Sequence, residues 1–338
     1  MSQPSRTNPA ATKILVCAQH AFLPWNPPEE MANGIRSRWP EIKAMHLSGS
    51  DRLAQEIADT DILVAHILHP EHLAAARKLK WIHSFAAGVT QLMFPELRRS
   101  GIEVTNASSV HCVPIAQHIL GAIIALARRF PDCFRHQQEG RWAQRELWSA
   151  PVRPRELRGQ VILFIGFGAI GREAARLVRP LEMRIWAVTR TGRADLELAE
   201  NNFSSARLHE ALPDADYVVV AAPETPETRG MIGAAELAMM KPSAYFVNVA
   251  RGAIVDEPAL ISALERGAIA GAALDVTARE PLPPESPLWG LDSVFITPHV
   301  SGLSDRTWDR QQKLLIENLD RWFSGRELLN RVDLQRGY

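Results

Sequence analysis

Val161-Ile162-Leu163-Phe164-Ile165-Gly166-Phe167-Gly168-Ala169-Ile170-Gly171-Arg172 is the stretch that decides the fold. Its five leading apolar residues predict a strand buried on both faces, as in a parallel sheet. The pattern Gly-x-Gly-x-x-Gly follows at once over 166–171, and a helical pattern then continues until Pro180 stops it. A strand, a glycine turn and a helix in this order are typical of a dinucleotide-binding unit.

Each glycine of this turn has a physical purpose in such a unit. Gly166 allows the tight turn, Gly168 lets the backbone approach a pyrophosphate, and Gly171 lets helix and strand pack closely. The helix begins at Ala169 and Ile170, where unpaired N–H groups and the positive end of the helix dipole attract phosphate. A glycine turn can serve packing alone, but the readable strand and helix around it favour dinucleotide binding.

Composition limits the remaining choices. A chain of 338 residues suggests about two domains, and its 46% apolar content is ample for a core. The formal net charge is zero, so nothing indicates binding to nucleic acid or to an acidic membrane surface. The three cysteines, Cys17, Cys112 and Cys133, are widely spaced and fit neither a metal site nor a disulfide framework. We therefore expect no metal and a reducing compartment.

The N-terminal segment, Met1 to Thr12, is polar and lacks the order of a signal peptide. No uninterrupted apolar run is long enough to span a bilayer. These features predict a cytoplasmic protein.

Apolar strand patterns alternate with amphipathic helical patterns along the chain, which predicts parallel α/β sheets. The predicted strands are 13–18, 61–65, 81–84, 101–105, 183–188, 217–223, 244–250, 272–276 and 294–298. Ligands bind beyond the carboxyl ends of such strands. That rule makes the backbone N–H groups of Ala87, Gly88 and Val89 a candidate anion site, although a plain tight turn is the alternative reading.

The segment from His111 to Phe130 predicts one long helix that is apolar on nearly all sides and therefore buried. The following segment, Arg135 to Arg155, is polar and carries Trp142 and Trp148. We interpret it as a segment that leaves the domain and packs against another surface, for example that of a second subunit. A helix buried within its own chain is the competing explanation for the apolar stretch. The segment from Thr307 to Phe323 has helical periodicity and is expected to return to the first domain.

The end of the strand after the glycine turn bears on the choice of cofactor. In NAD-binding units an acidic residue at this point holds the ribose 2′-OH. Here the strand runs into Thr189-Arg190-Thr191-Gly192-Arg193, and no carboxylate appears before Asp195. Arginines with hydroxyls suit a 2′-phosphate, so the sequence predicts a preference for NADP(H). Solvated loop charges are the alternative.

Three chemically active residues are predicted to lie at or just beyond strand ends: Arg251, Glu280 and His299. Singly, Arg251 could form a surface ion pair, Glu280 could be a loop charge, and His299 could be a cap or core histidine. Their common place at one edge of a doubly wound sheet favours a joint role.

At this point the chain resembles the D-isomer-specific 2-hydroxyacid dehydrogenases. The resemblance covers nearly the whole chain and is most specific over 84–300. The segments that carry it are Ala87-Gly88-Val89, 111–128, Gly166-Phe167-Gly168-Ala169-Ile170-Gly171, Asn248-Val249-Ala250-Arg251-Gly252 with Val255-Asp256, Ala273-Leu274-Asp275-Val276, Glu280-Pro281-Leu282 and Thr297-Pro298-His299. Two departures stand out. Thr189-Arg190 replaces the acidic residue at the end of the second strand, as in NADP-using glyoxylate/hydroxypyruvate reductases. Thr90 stands where the family often has an aspartate after Ala-Gly-Val.

The resemblance implies a fold of two Rossmann/flavodoxin-like doubly wound parallel-sheet domains with a cleft between them. Residues 1–110 with 300–338 would form the substrate domain, and residues 111–299 the dinucleotide-binding domain. It also implies a homodimer. The residues expected at the cofactor include those of the glycine turn and Thr189, Arg190, Thr191 and Arg193 of the loop after the second strand. The others are Pro223, Thr228, Val249, Ala250, Asp275, His299 and Gly302. For Asp275, a purely structural cap is an equal alternative.

The implied reaction is reduction of a small 2-oxo acid, glyoxylate or hydroxypyruvate first, to the D-2-hydroxy acid. Arg251 would bind the carboxylate and stabilise charge on the carbonyl oxygen, helped by the N–H groups of 87–89. His299 would donate the proton, and Glu280 would orient the imidazole and favour its charged form. Two alternatives remain open: a phosphite-type anion dehydrogenase, and a dinucleotide-sensing corepressor-like protein, which the lack of a basic patch disfavours. Formate dehydrogenases of this fold usually lack a glutamate partner for the histidine, so Glu280 argues against a formate dehydrogenase.

Overall fold

Two sheets of parallel strands account for the fold in the computed structural model, which describes residues 9–19, 25–193 and 197–337. The chain divides into a first unit, Met1–His111 with Ser304–Tyr338, and a second unit, Cys112–Leu303. Asp195 and the first eight residues of the N-terminal segment considered above lie outside the described residues.

The first unit contains a five-stranded sheet. Its strands are β1 (Lys13–Ala18), β2 (Lys43–Ser48), β3 (Ile62–Val64), β4 (Trp81–His83) and β5 (Glu103–Thr105), and its helices are α1 (Glu29–Arg38), α2 (Leu53–Glu56), α3 (Pro70–Ala75), α4 (Pro95–Arg99) and the C-terminal α12 (Thr307–Ser324). The strand order is β2-β1-β3-β4-β5 with every pair parallel, which is the flavodoxin-like order.

Alternate residues of β1 serve the two faces of this sheet. Ile14 and Val16 pack with α1 and α12, whereas Leu15 and Cys17 pack on the opposite face. This alternation with both faces apolar is what a strand buried between two helical layers requires. Helix α12 belongs to the first unit, and its Trp322 stacks on Trp81 of β4.

The second unit contains a seven-stranded sheet. Its strands are β6 (Val161–Ile165), β7 (Arg184–Thr189), β8 (Asn201–Ser204), β9 (Tyr217–Val220), β10 (Tyr245–Asn248), β11 (Gly271–Leu274) and β12 (Val294–Ile296), and its helices are α5 (Cys112–Ala127), α6 (Phe130–Gln138), α7 (Gln144–Ser149), α8 (Ala169–Val178), α9 (Leu208–Ala211), α10 (Ala234–Met239) and α11 (Glu257–Glu265). The order β12-β11-β10-β9-β6-β7-β8, all parallel, reverses between β6 and β9. Such a reversal opens a crevice at the carboxyl ends of the strands. The predicted fold class, two doubly wound parallel-sheet units, is confirmed.

The single helix predicted from His111 to Phe130 is wrong at its C-terminal end. Helix α5 ends at Ala127, because Arg129 adopts a left-handed backbone conformation (φ 57°), and α6 then begins at Phe130. The predicted burial of the apolar helix is correct, since Ile119 and Ile123 of α5 pack among residues of α8 and the sheet. No single described helix is long and apolar enough to cross a membrane; α5 and α6 qualify only together, bent by 68° at their junction.

Candidate active site

The glycine turn lies between β6 and α8, at the point where the strand order reverses. Gly166 has φ +95°, and a Cβ there would lie 2.5 Å from the backbone nitrogen of Ala222. A Cβ on Gly171 would lie 2.6 Å from the carbonyl oxygen of Gly166. Both glycines are therefore required by close packing of the backbone, as the sequence predicted for the turn.

Gly168 differs from Gly166 and Gly171. It is the N-cap of α8, and a Cβ built on it meets no atom within 4 Å. The open space in front of Gly168 adjoins the N–H groups of Ala169 and Ile170 in the first turn of a ten-residue helix. Backbone donors beside unfilled space at a helix N-terminus suit a pyrophosphate, so these residues fit a dinucleotide.

The loop after β7 forms a small closed turn. The hydroxyl of Thr189 donates to the carbonyl of Arg193 (3.4 Å), and Gly192, with φ +74°, packs against the backbone of Ser204 in β8. Among the described residues, no hydrogen bond or ion pair engages the guanidinium of Arg190 or Arg193. The hydroxyl of Thr225 lowers the pKa of Glu227, and the charge of Arg190 contributes to the same shift.

The turn after β9 contains two further residues predicted at the cofactor. The hydroxyl of Thr228 donates to the carbonyl of Pro223 (2.8 Å) and accepts from the N–H of Thr225 (2.8 Å). Thr228 thus closes its own turn beside the glycine turn, because β9 and β6 are neighbours.

Arg251 lies on a turn fixed by a buried asparagine. Asn248, at the end of β10, accepts from the N–H of Ala250 (3.0 Å) and donates to the carbonyl of Arg251 (3.1 Å). Val249 and Ala250 are buried, whereas the Arg251 side chain is exposed and donates to the carbonyl of Ala250 (2.6 Å). No role for Asn248 could be predicted from the sequence.

Gly252 brings this turn against the loop that carries Glu280. A Cβ on Gly252 would lie 2.0 Å from the carbonyl carbon of Thr277. The carboxylate of Glu280 accepts from the N–H of Thr277 (3.2 Å) with one oxygen and lies 2.6 Å from Nδ1 of His299 with the other. The predicted pairing of Glu280 with His299 is therefore present in the structure. Both side chains are about two-fifths exposed, at 38% each.

Asp275 fixes the segment that carries His299. Its Oδ1 accepts from the hydroxyl of Thr297 (2.6 Å) and the N–H of Val300 (2.9 Å), and its Oδ2 accepts from the N–H of Ser301 (3.0 Å). Burial raises the pKa of Asp275, but the hydrogen bonds outweigh that effect and hold the pKa below its ordinary value. Asp275 thus acts as a cap on the loop that continues to Gly302, and its contact with a nicotinamide stays a prediction.

His118 on α5 joins this group, although nothing in the sequence assigned it there. Its Nε2 lies 3.1 Å from the hydroxyl oxygen of Thr297 and 3.9 Å from Oδ1 of Asp275. Burial lowers the pKa of His118, opposed by the charge of Asp275. A histidine in the middle of an apolar helix was the available signal.

In the first unit, the predicted anion loop follows β4. The carbonyl oxygens of residues 85, 86 and 87 each accept a hydrogen bond, from Gln311 Nε2 (2.6 Å), Ala107 N (3.0 Å) and Asn106 Nδ2 (2.9 Å). Among the described residues, no acceptor is hydrogen-bonded to the N–H groups of Ala87, Gly88 or Val89. An anion-binding loop needs N–H groups without an internal acceptor and carbonyls that are already hydrogen-bonded. This loop has both.

The second unit therefore gathers several functions at one sheet edge. Arg251, Glu280 and His299 follow the adjacent strands β10, β11 and β12, and the glycine turn follows β6 of the same sheet. An imidazole oriented by a carboxylate can transfer a proton, and a guanidinium can bind a carboxylate. Among the described residues, no cluster of three or more His, Cys, Asp or Glu side chains could hold a metal ion.

Comparison with known proteins agrees with this geometry. The family model described as "D-isomer specific 2-hydroxyacid dehydrogenase, NAD binding domain" matches residues 120–301. A glyoxylate reductase from Korarchaeum cryptofilum is 34% identical over 271 residues, which cover 79% of this chain and 81% of that protein. The crystal structure of a D-isomer specific 2-hydroxyacid dehydrogenase from Xanthobacter autotrophicus Py2, in complex with NADPH and MES, superposes with a TM-score of 0.81 at 29% identity and covers 97% of this chain and 99% of that one.

A second solved structure is an NADPH-dependent glyoxylate/hydroxypyruvate reductase from Sinorhizobium meliloti in complex with citrate. It has a TM-score of 0.75 and 28% identity, with 96% of this chain and 98% of that one covered. The family model, the sequence identity over most of the chain and the shared fold agree. This chain therefore belongs to the family of D-isomer-specific 2-hydroxyacid dehydrogenases.

Proposed function

We propose that this protein reduces a small 2-oxo acid to the D-2-hydroxy acid with a nicotinamide dinucleotide as reductant. The observation that carries the proposal is the 2.6 Å contact between Glu280 and Nδ1 of His299, in the unit that holds the glycine turn. Glyoxylate and hydroxypyruvate are the first substrates to test, because similar proteins carry those names.

His299 is the proposed proton donor. Because Nδ1 is engaged by Glu280, Nε2 is the nitrogen that would give the proton to the carbonyl oxygen and take it back in the reverse direction. When bound, the reduced nicotinamide would supply a hydride, a hydrogen with its electron pair, to the carbonyl carbon. Glu280 holds the ring in one orientation and one tautomer, while its other oxygen is fixed by the backbone of its own loop.

Arg251 and the N–H groups of 87–89 are the proposed substrate-binding groups. The forked guanidinium can hold both the carboxylate and the carbonyl oxygen of a planar 2-oxo acid, and it would stabilise negative charge on that carbonyl oxygen. Asn248 keeps the Arg251 turn rigid. The N–H groups of the loop after β4 are proposed to bind a carboxylate oxygen.

We further propose that NADP(H) is preferred over NAD(H). Arg190 and Arg193 have no hydrogen-bonded carboxylate partner among the described residues, and no acidic residue ends β7. A 2′-phosphate would therefore meet two cations and two hydroxyls, with no carboxylate at the end of β7 to repel it.

The cofactor preference predicts a selective effect of Arg190→Ser. The Michaelis constant for NADPH should rise about tenfold or more, since charge-assisted hydrogen bonds are worth about 1.5–3 kcal/mol, while that for NADH stays within about twofold. Arg184→Ser, an exposed arginine at the opposite end of β7, is the control and should change neither constant. Equal changes for both cofactors in Arg190→Ser would refute the role of this loop in selectivity.

The experiment that tests the function is a panel of 2-oxo acids assayed with NADPH and with NADH. We expect rapid NADPH oxidation with glyoxylate or hydroxypyruvate. Tight NADPH binding without turnover of any member would instead support the corepressor-like sensor, and oxidation of phosphite with NADP would support the anion dehydrogenase. The names carried by similar proteins do not favour either alternative.

We also propose a homodimer. Helix α5 offers no support, since it is buried within its own unit, but the segment after it carries large apolar side chains in contact with solvent. Phe134, Trp142 and Trp148 are 60%, 90% and 68% exposed, which is costly for an isolated chain. Residues 130–149 are therefore the proposed contact with a second copy. A cytoplasmic location stays a prediction.

A further inference from the structure

A chain of three polar side chains links α5 to the loop that carries His299. His118 Nε2 lies 3.1 Å from the hydroxyl oxygen of Thr297, which lies 2.6 Å from Oδ1 of Asp275. An ionised carboxylate can only accept, so the single hydroxyl hydrogen of Thr297 goes to Asp275. The hydroxyl oxygen must then accept from His118, which fixes the tautomer of His118 with its proton on Nε2.

The far end of this chain determines the backbone around His299. The carboxylate of Asp275 accepts from the N–H groups of Val300 and Ser301, and its main-chain carbonyl accepts from the N–H of His299 (2.8 Å). Asp275 thus binds the segment on both sides of His299. That support matters because His299 has φ +52°, in the left-handed region that is strained for an L-residue.

The environment of His118 suits a neutral, directional donor. Burial lowers its pKa, and the side chain is only 20% exposed. Its surroundings within the second unit are apolar, since Ile115, Ile119 and Ala122 of α5 are buried. A partly buried imidazole in such a helix is costly unless it keeps a hydrogen bond.

We propose that His118 is a positioning residue for His299 and acts through Thr297 and Asp275. This inference rests on the proposed function, in which His299 transfers the proton. Without the donor at His118, the hydroxyl of Thr297 keeps only its bond to Asp275, so the position of Thr297 is less constrained and Asp275 loses part of its orientation. The loop then moves and the imidazole leaves its alignment with Glu280, whereas the glycine turn, at β6, is unaffected.

Four variants test the linkage: His118→Met, His118→Gln, Thr297→Val and the double variant His118→Met/Thr297→Val. Methionine removes the donor at similar length, and glutamine restores an N–H near the position of Nε2. We expect the turnover number with saturating oxo acid to fall about 10- to 100-fold in His118→Met, as for displacements of about 1 Å at a reacting group, and to recover to within about threefold in His118→Gln. The dissociation constant for NADPH should change little.

The double variant separates positioning from general loss of structure. If His118 acts through Thr297, the losses overlap and the double variant is no slower than the slower single variant. Losses that multiply, an unimpaired His118→Met, or a His118→Gln as slow as His118→Met with an unchanged melting temperature would each overturn the inference. A wild-type protein that reduces no 2-oxo acid would instead overturn the proposed function.

A readout without turnover keeps the inference testable in that case. Diethyl pyrocarbonate modifies accessible imidazoles, and peptide mass spectrometry gives the rate at His299 alone. We expect this rate to change several-fold in His118→Met and Thr297→Val and to return towards the wild-type value in His118→Gln. Equal rates in all variants would contradict a link between His118 and His299.

Discussion

Glu280 can hold the imidazole of His299 in one orientation because both of its carboxylate oxygens are hydrogen-bonded. One oxygen accepts from the N–H of Thr277 and the other meets Nδ1 of His299. The carboxylate is therefore anchored to its own loop before it orients the imidazole, so little side-chain freedom is lost when the pair forms. Asn248 is used in the same way, since both its amide oxygen and its amide nitrogen form hydrogen bonds that hold the Arg251 turn.

His83 predicts an acid-sensitive first unit. Burial in β4 lowers its pKa to about 4, from an ordinary value of 6.5 in the unfolded chain. The folded state therefore keeps His83 neutral, so its contribution to stability is complete above pH 6.5 and is lost as the pH falls towards 4. From this group we expect the unfolding free energy to be about 2 kcal/mol lower at pH 5 than at pH 7.

Urea unfolding monitored at both pH values measures this effect. His83→Asn is the matched control, because an amide can reach the hydroxyl of Thr105 that now lies 2.9 Å from Nδ1 of His83. The control should lose the corresponding part of the pH dependence. An identical pH dependence in the variant and the wild type would show that another group is responsible.

Single residues differ in how readable they are from sequence. His299 and Glu280 could be paired because they belong to a recognisable motif series, and the structure places them in contact. His118 could not be assigned, because its partner Thr297 lies 179 positions away and the pattern around it indicates only a buried helix. A long-range hydrogen bond leaves no local periodicity.

At the scale of elements, the turn between β6 and α8 contains glycines of two kinds. Gly166 is held by its positive φ and by the backbone of Ala222, whereas Gly168 faces open space. Packing therefore explains the first glycine within the protein itself but not the second, where we propose that a pyrophosphate binds.

This difference predicts opposite effects of alanine. Gly168→Ala should leave the melting temperature unchanged but raise the dissociation constant for NADPH about tenfold or more, since forcing extra atoms into a filled site costs about 1–3 kcal/mol. Gly166→Ala, the comparison variant, should lower the melting temperature by several degrees, because a non-glycine residue is strained there. Scanning fluorimetry and NADPH fluorescence titration provide the two values. Unaltered NADPH binding by Gly168→Ala would argue against a pyrophosphate at that position.

The strands that the sequence did not predict, β2 and β8, are edge strands. Both β2 and β8 lie at the end of a sheet and are partly exposed, so they lack the apolar run that revealed β1 and β6. The break between α5 and α6 was also missed, because the apolar pattern continues across Arg129 while the backbone there becomes left-handed. Central strands are readable since burial on both faces demands apolar residues throughout.

At the scale of the whole molecule, the chain forms two units with separate cores, each built on a parallel sheet. The alternation of strands and helices predicted that architecture. The exposed aromatic side chains of residues 130–149 are the feature that neither core explains.

The dimer proposal predicts about twice the chain mass, 37.6 kDa, in sedimentation at micromolar concentration. Trp148→Ser combined with Phe134→Ser should shift the equilibrium towards monomer, because aromatic side chains often contribute about 2 kcal/mol or more each at an interface. Trp289→Ser, which is 56% exposed outside residues 130–149, is the control. A wild-type monomer at that concentration would contradict the proposal.

The most direct test of the central claim is the single-turnover oxidation of bound NADPH by glyoxylate or hydroxypyruvate in wild type and His299→Asn. We predict a rate about 10²- to 10⁴-fold lower in the variant, the usual contribution of a positioned proton donor, with NADPH affinity within about threefold of wild type. A rate in His299→Asn within about threefold of the wild-type rate would contradict the assignment of His299 as the proton donor.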